Sequence, residues 1–127
     1  MIKQIRQVED FHRAFGAHIQ QNYLIRMPDH IRLLRKKLIE EETKEVSEEL
    51  DNQHYLPNLA KELADLCYVI FGTVVSAGLQ TYFEACFDEV HNSNMSKLGE
   101  DGKPIYREDG KVLKGPNYFQ ADLSKIL

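Results

Sequence analysis

Apolar positions recur at helical spacing through most of this chain. Ile5, Val8, Phe11 or His12, and Phe15 predict a first helix over 4–15, stopped by Gly16. Residues 17–28 read as a polar, irregular link ending at Met27-Pro28. A second helix is expected from Asp29, a good N-cap, to about residue 50, with Ile31, Leu34 and Leu38 as its inner stripe. A third runs from Pro57 to about residue 77, carries Leu59, Leu63, Leu66 and Ile70, and is broken by Gly78. Gly72 inside it lowers helix propensity and permits close packing. A fourth opens on the capping box Thr81-Tyr82-Phe83-Glu84, turns Phe83, Phe87 and Val90 inward, and ends near Met95 or Lys97. The expected fold is all-α: an antiparallel four-helix bundle followed by a turn-rich C-terminal tail.

The tail differs in kind. Gly99, Asp101-Gly102, Asp109-Gly110 and Gly115-Pro116 punctuate it, so residues 105–107 and 111–113 read as a small hairpin. It carries Lys97, Lys103, Arg107, Lys111 and Lys114. Ile105, Tyr106, Val112, Leu113, Tyr118 and Phe119 give it apolar surface to bury, which argues against disorder. One domain over 1–127 is expected, with a helical core to about residue 97 and the tail from 98 onward.

The acids break the helical pattern. On the second helix the stripe of Ile31, Leu34 and Leu38 continues into Glu41 or Glu42 and then Glu45, changing from hydrocarbon to carboxylate. On the third, Glu62, Asp65 and Val69 form one line beside the leucines. A solvated helix places its acids opposite the apolar stripe. Carboxylates face a core only when paired or holding a metal. Glu45 lies roughly 9 Å before the end of its helix and Glu62 roughly 7.5 Å after the start of the next, at about 1.5 Å per residue. A short connection makes the two helices antiparallel neighbours, so both pairs sit at one level. The resulting oxygen-rich cage suits Mg²⁺ or Mn²⁺ better than Zn²⁺. The plainer alternative is a solvated acidic face, and Glu40, Glu48 and Glu49 read that way, with Lys44 at pairing distance from Glu40 or Glu48.

Composition narrows the function classes. The chain has 127 residues, 43% of them hydrophobic, enough for one core and not for two. The net charge of −4 argues against a nucleic-acid partner. No apolar run spans a membrane, and Met1-Ile2-Lys3-Gln4-Ile5-Arg6 is no signal peptide, so the expected location is the cytoplasm. Cys67 and Cys86 read as small buried hydrophobes in a reducing compartment; a disulfide between helices is the alternative. No basic residue sits beside either, which argues against a catalytic thiol.

The five histidines raise a second metal reading. Glu9-x-x-His12 has the spacing used in di-iron carboxylate bundles, but that site needs a second motif and Asp88-x-x-His91 is a loose echo. His12 fits a pocket wall better, and His18, His30 and His54 read as surface residues. No nucleophile elbow, P-loop or dinucleotide glycine pattern is present. Acids without a nucleophile point to water as the attacking group, with a metal to acidify it and to meet phosphate oxygens.

Glu41-Glu42-x-x-Glu45, followed after sixteen residues by Glu62-x-x-Asp65, resembles the signature of the MazG-like all-α nucleoside triphosphate pyrophosphohydrolases, including the dimeric dUTPases, the dCTP pyrophosphatases and phosphoribosyl-ATP pyrophosphohydrolase. Phe11-His12-x-x-Phe15-Gly16, Leu38-Ile39-Glu40-Glu41-Glu42 and Val90-His91-x-Ser93-Asn94-Met95-Ser96-Lys97 extend the resemblance, closest to the phosphoribosyl-ATP pyrophosphohydrolase-like subgroup. It implies that Glu42, Glu45, Glu62 and Asp65 hold Mg²⁺, with Mn²⁺ as an alternative, and that Glu41 orients or deprotonates the attacking water. It implies cleavage between the α- and β-phosphates to a monophosphate and pyrophosphate, in the manner of nucleotide-pool house-cleaning. Asn94 and Lys97 resemble the family's polar residues near the phosphates. Lys111 and Lys114 join them on charge, and Phe11, His12 and Phe15 as pocket walls. A homodimer or homotetramer is implied. A nucleotide-binding or interaction module without turnover is the competing reading, and a carboxylate di-metal redox bundle a third.

Overall fold

A computed structural model describes residues 1–52 and 55–127. His54, expected at the surface, lies outside the described residues. Four helices form, and no strand forms among the described residues: α1 Ile2–Phe15, α2 Asp29–Asp51, α3 Leu56–Ser76 and α4 Phe83–Met95. The chain divides into two compact units, residues 1–81 and 82–127.

In the first unit, α1 and α2 both pack on α3. α1 buries Ile5, Val8 and His12, one line at helical spacing. It ends where Gly16 takes φ 70° and its N–H returns to the His12 carbonyl. That left-handed turn is open to glycine at no steric cost. α3 closes in the same style. Gly78 (φ 76°) donates to Val75 and Leu79 to Val74, the paired bonds that satisfy a helix's last carbonyls. A Cβ on Gly78 would stand 2.9 Å from the Asn22–Tyr23 backbone, so the link between α1 and α2 runs directly over it.

That link is more ordered than its polar composition predicts. Gln20 is buried and acts as its hub: its N–H bonds the Val75 carbonyl at 3.1 Å, and its side-chain amide holds the Asn22 and Ile25 carbonyls. Ser76 Oγ donates to the His18 carbonyl and Gln80 Nε2 to the Gln20 carbonyl, both at 3.0 Å. Buried polar groups persist in proteins when bonded in this way.

The order of contacts along α2 and α3 is antiparallel. Arg35, near the start of α2, reaches Val69 and Thr73 late in α3, whereas Glu42 meets Glu62 and Asp65 early in α3. The inner face of α2 differs from the expected one: Arg35 and Val46 are buried, and Leu34 is exposed. Both helix starts also differ. Asp29 does not cap α2; Pro28 stands in the cap position, and Asp29 pairs with Arg26 at 3.0 Å and Arg32 at 3.6 Å. Thr81 does not cap α4, which begins after Tyr82 with no side-chain cap.

In the second unit α4 buries Cys86 and Ser93, while Phe87 and Val90, expected inward, are exposed. The tail is tied to α4 through polar groups. Ser93 Oγ donates to the Phe119 carbonyl at 2.8 Å, and the Phe119 N–H donates to Ser96 Oγ at 3.1 Å. The Gly115 N–H bonds the Lys97 carbonyl at 2.8 Å. Tyr106 and Val112 form an antiparallel bridge around the Asp109-Gly110 turn, where Gly110 takes φ 86°. Ile105, Tyr106, Val112, Leu113 and Phe119 remain exposed.

Candidate active site

Two helices converge their acids. Glu42 from α2 and Glu62 and Asp65 from α3 are each half-buried, and one carboxylate oxygen of each lies within 4.8 Å of the others. Glu62 and Asp65 share a face because they are three residues apart. Glu45, one turn beyond Glu42, hydrogen-bonds Glu62. That bond first, and then the charges of Glu42 and Glu62, hold the Glu45 carboxyl above its ordinary pKa. Lys61 leans in from solvent, with Nζ 2.8 Å from Asp65 Oδ2 and 3.3 Å from Glu62 Oε1. Its ammonium is held above the ordinary lysine pKa by the Asp65 and then the Glu62 hydrogen bonds.

One lysine does not satisfy the cluster. Glu42 Oε2 and Glu62 Oε2 are buried and have no hydrogen-bond partner among the described residues. Leaving a buried acceptor unmatched costs about 1–3 kcal/mol, and more for a charged one. Two such oxygens, on two helices whose carboxylates converge, fit a cation. The donor set is all oxygen, the chemistry of Mg²⁺ or Mn²⁺.

A cleft of about 270 Å³ opens beside the acids, lined by Phe11, His12, Arg35, Leu38, Glu42, Asp65, Tyr68 and Val69. The Phe11 ring meets Tyr68 edge-on at 5.6 Å and stacks on Phe15 at 4.4 Å. His12 is 3% exposed, and its Nδ1 lies 2.9 Å from the His18 carbonyl oxygen. A carbonyl only accepts, so Nδ1 carries the hydrogen and the neutral ring leaves Nε2 as an acceptor. Burial pushes the His12 pKa down, and the Arg35 charge adds to this. Arg35 is 7% exposed; its Nε donates to Thr73 Oγ1 at 3.2 Å and its Nη2 to the Val69 carbonyl at 2.8 Å.

The His12 shift has a definite sign. The unfolded histidine titrates near its ordinary 6.5, and the folded one below it. Between these values the unfolded chain binds more protons, so stability falls as pH drops from 6.5 through the lowered folded pKa. Melting curves taken from pH 8 to pH 5 should show this loss in the wild type and a flatter profile in His12→Asn, which keeps a donor for the His18 carbonyl. Parallel profiles would show that His12 does not carry the effect.

The other residues expected at the site are placed as follows. Glu41 is exposed and stands outside the trio. Phe15 is 73% exposed beyond Phe11. In the second unit Asn94 is exposed on α4, Lys97 is half-buried just after it, Lys111 is exposed, and Lys114 Nζ lies 4.8 Å over the Tyr118 ring. The di-iron spacing is used otherwise: Glu9 pairs with Arg13 at 3.2 Å and accepts from Gln21, away from His12 Nδ1. His18, expected at the surface, is half-buried. Both cysteines are free. Cys86 is buried, but Cys67 is exposed on a groove between α1 and α3 that also includes Val8, Ala64 and Phe71.

Arg35, Lys61, Tyr68 and Gly72 were not among the expected site residues. Arg35 carried a signal of the same kind as the acids: four residues after Ile31 and three before Leu38, it is a charge inside the inner stripe.

Comparison with curated proteins gives no significant match. A protein-family model, phosphoribosyl-ATP pyrophosphohydrolase, matches residues 8–94, a span that includes Glu42, Glu45, Glu62 and Asp65, and His12 and Arg35 of the cleft. On that match, over more than half its length, the chain belongs to the phosphoribosyl-ATP pyrophosphohydrolase family, part of the MazG-like all-α superfamily whose chemistry is pyrophosphohydrolysis of a nucleotide.

Proposed function

We propose that this protein is a Mg²⁺-dependent nucleoside triphosphate pyrophosphohydrolase that directs water between the α- and β-phosphates, releasing a monophosphate and pyrophosphate. The observation that carries this reading is the pair of buried, unpartnered carboxylate oxygens of Glu42 and Glu62. Glu42, Glu45, Glu62 and Asp65 hold the ion. A divalent ion so held neutralises phosphate oxygens and lowers the pKa of bound water. Glu41, exposed beside Glu42, is the candidate to orient the attacking water and accept its proton. The Phe11, His12 and Tyr68 cleft takes the nucleoside, with Phe15 extending its aromatic wall. Asn94, Lys97, Lys111 and Lys114 remain candidates for the outer phosphates on charge and polarity alone.

A nucleotide panel with Mg²⁺ tests the reading. At least one nucleoside triphosphate should give monophosphate and pyrophosphate in equal amounts, and chelation should abolish turnover. Release of orthophosphate with a diphosphate left behind would sink the α–β assignment. No turnover on any nucleotide would favour a binding module.

The same reading includes a homo-oligomer. Within the first unit Phe15, Leu33, Leu34 and Leu63 are exposed, and Cys67 with Tyr68 borders an apolar groove. Exposed apolar residues of this kind support an interface between copies. Light scattering should give a dimer or tetramer, and a monomer at micromolar concentration would contradict it.

A further inference from the structure

Arg35 is a buried cation with no carboxylate within salt-bridge distance among the described residues. Nε and Nη2 are engaged, and Nη1 has no protein partner among the described residues. Burying such a charge for structure alone is a poor solution, because an apolar side chain of similar volume is often as stable or more so. The Val69 carbonyl does not depend on it either, since Thr73 Oγ1 already donates there at 2.9 Å.

The guanidinium occupies the space left by a missing side chain. A Cβ on Gly72 would collide with Arg35 Nη2, lie 2.9 Å from its Cζ and lie 3.1 Å from His12 Nε2. The guanidinium and His12 Nε2 therefore both sit over Gly72, and both residues line the cleft. Arg35 precedes Glu42 by two helical turns, roughly 10 Å along the axis. That offset separates it from phosphates held at the acids by about the distance from a nucleotide's phosphates to its base.

The geometry points to a base-reading subsite in which Arg35 donates to a ring carbonyl and His12 Nε2 accepts from the adjacent ring N–H, selecting nucleobases that present this lactam edge. The inference deepens the proposed reading and rests on its claim that the cleft takes a nucleotide. Uracil, thymine, guanine and hypoxanthine carry the edge; adenine and cytosine do not. A phosphate would suit Arg35 alone, but its oxygens would face the lone pair of His12 Nε2. Phe11 and Tyr68 add aromatic surface for the face of the base.

Titration calorimetry with monophosphates in Mg²⁺ tests this without turnover. UMP, GMP and IMP should bind at least about ten-fold more tightly than AMP and CMP, since a site built for a hydrogen bond rejects a ligand lacking it. Arg35→Met and His12→Asn should each reduce that ratio to within about three-fold, with melting curves confirming the fold. If Arg35→Met does not fold, His12→Asn carries the test. Equal affinity for all five, preference for AMP or CMP, or a ratio unchanged in the variants would overturn the proposal. So would an equal loss of pyrophosphate and UMP binding in Arg35→Met, which would make Arg35 a phosphate ligand. Base preference without hydrolysis would sink the catalytic reading alone, and hydrolysis without base preference would sink this one alone.

Discussion

Glu62→Gln should lower turnover by at least about 10²-fold while leaving the protein folded, an effect of the size seen when a preorganised charge is lost. Glu62 is the centre of the cluster. It has a carboxylate oxygen within 4.8 Å of one each from Glu42 and Asp65, hydrogen-bonds Glu45, takes one contact from Lys61, and keeps one oxygen buried without a partner among the described residues. The amide keeps the shape and gives the Glu45 carboxylate a donor. The metal-free protein should therefore melt no lower than the wild type, since clustered acids repel one another. Glu42→Gln, Glu45→Gln and Asp65→Asn should show the same loss of rate and of Mg²⁺ affinity. Glu48→Gln is the control, because Glu48 is exposed and its carboxylate, among the described residues, pairs only with Lys44 at 3.9 Å. Steady-state kinetics and Mg²⁺ titrations on the five variants check this. Equal losses in Glu48→Gln and Glu45→Gln would show that the face assignment is wrong.

Gly72→Ala should raise KM for a nucleotide by about ten-fold and move the melting temperature by only a few degrees, because a displaced donor weakens binding without unfolding a helix. The new methyl meets the tip of a flexible side chain, the Arg35 guanidinium. Arg35 yields by leaving its place, and the helix gains about 1 kcal/mol of propensity from replacing glycine. Gly78→Ala provides the contrast. There φ is 76° and the obstacle is the Asn22–Tyr23 backbone at 2.9 Å, so nothing yields easily. The left-handed conformation alone costs about 1–2 kcal/mol for a residue with a Cβ. Gly78→Ala should lower the melting temperature more than Gly72→Ala does, with KM nearly unchanged. Thermal melts and KM values for the two variants decide the matter. If Gly72→Ala melts far lower, the glycine serves packing rather than the cleft.

The helices and the acidic face were legible in the sequence because both rest on periodicity, a local property. Glu42, Glu62 and Asp65 come together where the spacing and the short connection placed them. The helix starts were misjudged because capping depends on backbone geometry: Pro28 already fixes the entry to α2, which frees Asp29 to pair with Arg26 and Arg32. The inner face of α2 was misjudged at Leu34 because the stripe was read through apolar residues alone. Arg35 is the buried member, and its partners Val69 and Thr73 are more than thirty residues away. Gln20 was illegible for the same reason. Its main chain is held by the Val75 carbonyl of α3 and the Gln80 side chain just beyond that helix, partners that no local pattern marks. Phe87, Val90 and Cys67 read as core because apolar character favours burial and does not say which face of a helix is covered.

Lys61 gives the acid cluster a built-in cation of its own. Its ammonium already spans Glu62 and Asp65 from a flexible, largely solvent-exposed side chain. A newly made chain can therefore bring α2 and α3 together before any ion arrives, and loading needs only that side chain to swing outward. Under the proposed function, folding and activation would be separate events in time, the first indifferent to a divalent ion and the second set by it.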